Sequence, residues 1–340
     1  MREQVRPNGI AAPIACGVLA AWFGAACAQP LAHLADPAVA APSRLEGESV
    51  RFDADVRAGL IAPSPTDARA NYVAATLETT DLPAKVRHLA AARVAGPQEK
   101  LYLASLGLAC LAPTRPALPE CEAMDRLADW ARRDEGNGLP ALLLAEQARK
   151  HGEREKMVAF IEQGGRAASF DDYDGRAGLA LWEYAFASPI AAEPAVRARW
   201  ATGRSAAVAL AADWPYALRN TCLALGDRPD GMREACRALG NAMWLRGSTL
   251  NLRLLGSAVI ERNVVDPSAK EDAASRRASV NALAEQCDAA RLRIDQGLES
   301  ADTGERAAAA DAERRWVEAL AQFGQSGTCE RVRDGLPPHG

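Results

Sequence analysis

Apolar residues recur every three or four positions through most of the chain, while alternation at every second position is almost absent. Period 3.6 predicts helices and argues against half-buried strands. From Asp67 to Glu78, Ala70, Val73, Ala74 and Leu77 fall on one helical face. Asp81 is placed to cap the next helix, with Pro83 in its first turn. The same spacing predicts helices over Gln98–Ala109, Glu120–Arg133, Leu139–His151 (capped by Asn137 and ended by Gly152), Glu153–Gln163 and Asp174–Ala187. It continues from Pro194 towards Trp214 with an interruption at Gly203, then over Pro215–Leu225, Asp230–Leu245, Thr249–Asn263, Ala269–Leu298 and Thr303–Phe323. The expected fold class is all-α: antiparallel helical hairpins in an irregular stack, solenoid or bundle.

The two ends depart from this pattern. Arg2 and Arg6 precede an apolar run, Ile14–Ala26, followed by the small residues Ala26-Cys27-Ala28. That order predicts a secretory signal over 1–28, too short in its apolar part to span a bilayer. Residues 29–65 are rich in Ala and Pro and read as a flexible linker, with one short helix near Ala54–Ile61. The helical domain is expected over 66–331, with a subdivision near 190–215, and 332–340 as a frayed tail. Gly24-Ala25-Ala26-Cys27 is also similar to a bacterial lipoprotein signal, with Gly24 where such signals usually carry Leu. Lipidation of Cys27, anchoring the chain to the envelope membrane, is the alternative to a periplasmic or secreted protein.

One segment, residues 138–169, resembles a tetratricopeptide-type helix-turn-helix repeat. Leu144 and Ala145 stand where its first helix takes a large and then a small residue, Gly152 at its inter-helix glycine, and Phe160-Ile161 at its aromatic-apolar position. Met157 and Gly164 depart from it. The resemblance implies a helical-repeat protein and carries no functional residue with it.

Export changes how the cysteines are read. Cys16 leaves with the leader, cleavage or lipidation removes Cys27 as a free thiol, and Cys110, Cys121, Cys222, Cys236, Cys287 and Cys329 remain. Outside the reducing cytoplasm these become candidates for disulfides rather than thiols or metal ligands, and none has CxxC spacing or a nearby His. Many connectivities are open. Helical hairpins favour near neighbours: Cys222 with Cys236 about one turn, Cys110 with Cys121 across a Pro-rich loop, and, least firmly anchored, Cys287 with Cys329. Each bridge contributes about 2–4 kcal/mol by restricting the unfolded chain.

Charge and motif content exclude several functions. A formal net charge of −4 leaves no basic footprint for nucleic acid. No HExxH, GxSxG, GxxxxGK[ST] or GxGxxG is present, so no catalytic residue, metal or cofactor is expected. His88 and His151 read as surface helix histidines. The acidic run Asp171-Asp172-Tyr173-Asp174-Gly175 fails as a calcium loop, because aligning Gly175 puts Phe170 and Leu181 at ligand positions; Asp174 is expected to cap a helix instead. Aromatic density peaks at Trp182, Tyr184 and Trp200, the best candidates for a peptide-binding groove on a helical stack. The expected function is an exported binding or scaffold module holding a peptide or protein partner of the bacterial envelope, with no transmembrane segment after cleavage. The alternatives are a glycan-cleaving enzyme working with carboxylates alone and a structural envelope protein without a pocket.

Overall fold

Most helices begin where a short polar side chain can stand in for a missing turn. The computed structural model describes residues 43–60, 62–111, 118–122, 125–210, 214–224 and 230–337. In chain order the helices are α1 (Arg44–Gly59), α2 (Ala68–Leu77), α3 (Leu82–Ala95), α4 (Lys100–Ala109), α5 (Pro119–Glu122), α6 (Arg126–Arg133), α7 (Gly138–Lys150), α8 (Arg154–Arg166), α9 (Asp174–Ala187), α10 (Pro194–Leu210), α11 (Trp214–Thr221), α12 (Asp230–Arg246), α13 (Leu250–Asn263), α14 (Pro267–Leu298) and α15 (Thr303–Arg333). Ser43, Asp67, Asp81, Asp125, Asn137, Thr249, Asp266 and Asp302 each accept a hydrogen bond from a backbone N–H of the turn that follows. The all-α class expected from the periodicity is what the chain adopts; among the described residues β pairing is confined to two isolated bridges.

Four expectations need correction. The supposed linker is helical over Arg44–Gly59, and Leu45, Phe52 and Val56 of α1 are buried against α10. Their spacing is that of a helical face; the Ala and Pro content upstream obscured it. Gly203 does not interrupt α10, and Ser43–Gly340 forms one compact unit with no division near 190–215. The last helix runs on to Arg333 through a kink at Gly324, whose φ of 68° and ψ of 171° lie outside helical space. His88 is buried rather than a surface residue, with its Nδ1 unpartnered, and burial lowers its pKa. The expected leader, including Cys27, lies outside the described residues.

The helices do not stack in chain order. α2, α3, α4, α6, α7 and α8 pack in succession, but α8 then packs on α12, followed by α13, α14 and α15. α15 packs on α9, and α9 touches α2, so the succession closes on itself. α10 lies against this ring through α9 and α15, and α1 packs on the outside of α10. The largest core fills the ring with Tyr72, Leu106, Trp130, Leu142, Phe170 and Met243. A second core joins α1, α9 and α10 around Phe52, Trp182 and Trp200, and a third joins α13, α14 and α15 around Leu283 and Trp316.

The sulfurs stand in the three near-neighbour pairs. Cys110–Cys121 ties the end of α4 to α5, Cys222–Cys236 ties the end of α11 to α12, and Cys287–Cys329 ties α14 to the arm of α15 beyond its kink. Their Cα separations are 5.5, 5.4 and 5.2 Å, the spacing that bridged cysteines adopt.

Candidate functional site

Four inter-helix segments meet at one end of the ring and are stitched by their backbones. Ser169 N–H donates to Gly136 O (2.9 Å) and Gly138 N–H to Ser169 O (2.9 Å). Phe170 N–H donates to Arg246 O (3.1 Å), Ser248 N–H to Phe170 O (2.8 Å), and Ser326 N–H to Ser248 O (2.9 Å). Gly324 makes the last contact available. Its positive φ is a conformation L side chains rarely adopt, and a Cβ there would lie 2.6 Å from Ser248 O. On the other side, Gly175 lets the start of α9 touch the backbone of α15 at Leu320, where any side chain would collide.

The acidic loop is anchored in this junction by a buried carboxylate. Asp134 accepts hydrogen bonds from Lys100 Nζ (2.7 Å), Trp130 Nε1 (3.2 Å), Asn137 Nδ2 (3.0 Å) and the Tyr173 hydroxyl. Burial pushes the Asp134 carboxyl up, but Lys100, Tyr173, Asn137 and Trp130 outweigh it and hold the group below the ordinary carboxylate range. Asn137 also bridges to the loop, donating to Asp171 O (2.8 Å) and accepting from Asp171 N–H (3.1 Å). Tethered in this way, Tyr173 takes a left-handed conformation, φ 63° and ψ 16°, which costs a non-glycine residue about 1 kcal/mol or more. The expected cap moves accordingly. Asp174 is already the first residue of α9, and it is Asp172 Oδ1 that accepts from the Asp174 N–H, at 3.5 Å.

Beside this loop lies a cleft of about 600 Å³, walled by α10, the α12–α13 turn, α14 and α15. Phe170 and Trp316 form apolar parts of its wall, and Cys287 reaches it from α14. Asp172 accepts from the Thr249 hydroxyl (3.3 Å) and the Ser248 hydroxyl (3.5 Å). Burial, reinforced by the charge of Asp171, pushes the Asp172 carboxyl up to about 6. Asp174 is raised well above its ordinary value by burial and by the charges of Asp172 and Asp171. No arginine offsets either shift, because each cleft arginine is engaged elsewhere. Arg176 pairs with Glu99 (3.2 Å), Arg253 with Glu330 (2.6 Å), and Arg291 with Asp295 (3.0 Å) and Glu313; Arg246 donates to the Ala167 carbonyl. Ser326 also lines the cleft, is 1% exposed, and its Oγ has no partner.

A second depression of about 720 Å³ lies over α6, α7 and α8 and includes His151, Leu144 and Phe160. Of its three acids, Asp125 caps α6 and Glu153 pairs with Lys156 at 2.9 Å, while Glu135 is exposed on its rim. No group of three or more His, Cys, Asp or Glu suited to a metal occurs among the described residues.

The expected aromatic groove is not where the aromatic residues are. Trp182 and Trp200 are buried in the second core and Tyr184 is half-buried against it. Trp182 stacks on Phe186 with centroids 4.4 Å apart, and Trp200 meets Phe52 edge-on at 5.5 Å while its indole N–H donates to Asp53 (2.8 Å). These rings fill inter-helix space under α1, and none lines either cleft. The cleft was missed because its walls come from five separated stretches of chain; the density of acids at 171–174 was its only local signal. Comparison with family models, with curated proteins and with solved structures finds no match.

Proposed function

We propose that this chain is an exported helical binding module of the bacterial envelope, and that it holds a partner segment in the cleft beside the acidic loop. One observation carries the assignment of the site: the cleft combines a backbone-stitched frame with carboxylates that lack counter-charge. Rigid placement and an unmet electrostatic demand are what recognition requires and what a purely structural element has no use for. The three disulfides favour an oxidising compartment. Among the described residues no helix is long and apolar enough to cross a membrane.

A photo-crosslinking amino acid at Asn251, exposed on the cleft wall, tests this in cells. The expected outcome is a discrete adduct in the envelope fraction that is absent when the same probe replaces Lys150, which lies outside the cleft. No adduct at Asn251, or the same adduct at Lys150, overturns the proposal.

A glycan-cleaving enzyme keeps one supporting observation, the raised carboxyls of Asp172 and Asp174 near Phe170 and Trp316. Against it, these two acids lie two residues apart at the start of α9 and both shift in the same direction. Acid and base roles call for environments that drive two carboxyls apart, one on each side of the scissile bond. Release of reducing ends from cell-wall glycan, abolished by Asp172→Asn, would reverse this preference.

A further inference from the structure

We propose that the cleft takes a protonated primary amine, with the ammonium at Asp172 and Asp174 and its methylenes along Trp316. The inference rests on reading this cleft as the recognition site and specifies its ligand chemistry. Three observations point the same way. The first is charge: Asp171, Asp172 and Asp174 share one wall, and none forms an ion pair among the described residues. Arg176, Arg253 and Arg291 are matched to carboxylates elsewhere, and the exposed Arg246 is screened by solvent and bound to a carbonyl. An incoming cation therefore meets demand that no side chain fulfils. A neutral polyol would leave the same carboxylates uncompensated.

The second observation is Ser326, a buried hydroxyl on the cleft lining with no partner. It sits on the arm of α15 that Gly324 redirects and Cys329 ties to α14. Buried hydroxyls left without partners are uncommon and costly. An ammonium carries three donors and no acceptor, so its match is a set of acceptors: two carboxylates and a hydroxyl lone pair. The third is the apolar wall. Trp316, 6% exposed, is the accessible part of that wall, so methylenes laid on it lose contact with water, and an indole favours a nearby cation; Phe170 backs the wall from inside the core. A metal ion fits less well, since no cluster of three suitable ligands forms among the described residues.

The amine has two sources, a lysine side chain in a peptide and a free diamine, and calorimetry on the full mature chain separates them. The probes are an end-blocked Gly-Lys-Gly peptide, the same peptide acetylated on its side-chain nitrogen, and 1,5-diaminopentane. The lysine peptide or the diamine should bind, and acetylation should weaken the peptide at least tenfold. Asp172→Asn and Asp174→Asn should each weaken amine binding about tenfold, and Ser326→Ala about threefold, with thermal unfolding confirming that each variant is folded. Glu153→Gln, in the other depression, should bind as the parent does. Tighter binding of the peptide than of the diamine identifies a lysine side chain as the ligand, and the reverse identifies a free diamine. Absence of binding by both amines at millimolar concentration overturns the inference. So does equal affinity for the acetylated peptide, or unchanged affinity in the Asp and Ser variants. If those results arrive while the Asn251 adduct persists, the cleft is still a recognition site and only its ligand chemistry is wrong.

Discussion

Asp172 and Asp134 sit on the same junction and have their pKa values shifted in opposite directions: burial and the Asp171 charge outweigh three neutral donors at Asp172, whereas Lys100 and three further donors outweigh burial at Asp134. Asp172 is raised to about 6 in the folded chain from an ordinary value of 3.8. Below pH 4 both folded and unfolded chains hold the proton, and the residue costs nothing. Between pH 4 and 6 the unfolded chain ionises while the fold resists, so stability falls, and above 6, where both are ionised, it levels off. Asp172→Asn should therefore raise stability at pH 7.5 by about 1–3 kcal/mol, with the gain disappearing near pH 4. Denaturant titrations at the two pH values check it, and an equal gain at both would show that the carboxylate is not the cause. Asp134 has the reverse sign. Its pKa is held below the ordinary value, so its contribution is complete at neutral pH and is lost as pH falls through its lowered pKa. Neither behaviour can be read from the local sequence. Asp171, Asp172 and Asp174 look alike there, and what separates Asp172 from Asp134 is Thr249 and Ser248 on one side and Lys100, Trp130 and Tyr173 on the other.

Among the elements, the bridges differ mainly in how much chain they close. Cys110–Cys121 spans 11 residues, Cys222–Cys236 spans 14, and Cys287–Cys329 spans 42. Loop-closure entropy makes the first worth about 3 kcal/mol and the last about 4 kcal/mol. Replacing each pair by serines should lower the urea midpoint most for Cys287 and Cys329, and equal losses from all three pairs would contradict the entropic ordering. The last pair has a second role that the first two lack. Cys329 holds the arm of α15 that carries Gln325 and Ser326, and Gln325 accepts from Leu250 N–H at 3.1 Å. Loss of this bridge should therefore loosen one wall of the cleft. The pairing itself was legible, because cysteines on neighbouring hairpins have few other partners within reach. The route of the third bridge was not. The backbone at Gly324, φ 68° and ψ 171°, redirects α15 so that Cys329 meets Cys287.

The closed succession of helices leaves α1 packed on α10, closing the second core that α9 and α10 share. Phe52 is 2% exposed, meets the Trp200 ring and lies under the Arg197 guanidinium at 5.8 Å. Asp53 accepts from Trp200 Nε1 (2.8 Å), Arg57 Nε (2.8 Å) and Arg204. Phe52→Ala should cost about 3–5 kcal/mol in global stability, as emptying a buried aromatic site does. A change below about 1 kcal/mol would return this stretch to the status of a linker. Because α1 packs on α10, which also walls the cleft, truncation before residue 61 is expected to expose Trp200 and lower the melting temperature together.

Helix content, most of the caps and the pairing of cysteines follow from local rules: an apolar face repeats every 3.6 residues, Asp or Asn precedes a turn, and near neighbours meet across a hairpin. Asp81, Asn137 and Cys222 with Cys236 could be placed by those rules alone. Which tryptophans are covered, which acids lack a cation and where a cleft opens are properties of contacts between distant stretches. Trp182 and Trp200 look like a surface feature until α1 is laid over them, and Asp172 looks like any loop acid until α12, α13 and α15 surround it. Burial and charge compensation depend on every neighbour at once, so they emerged only when the ring of helices closed.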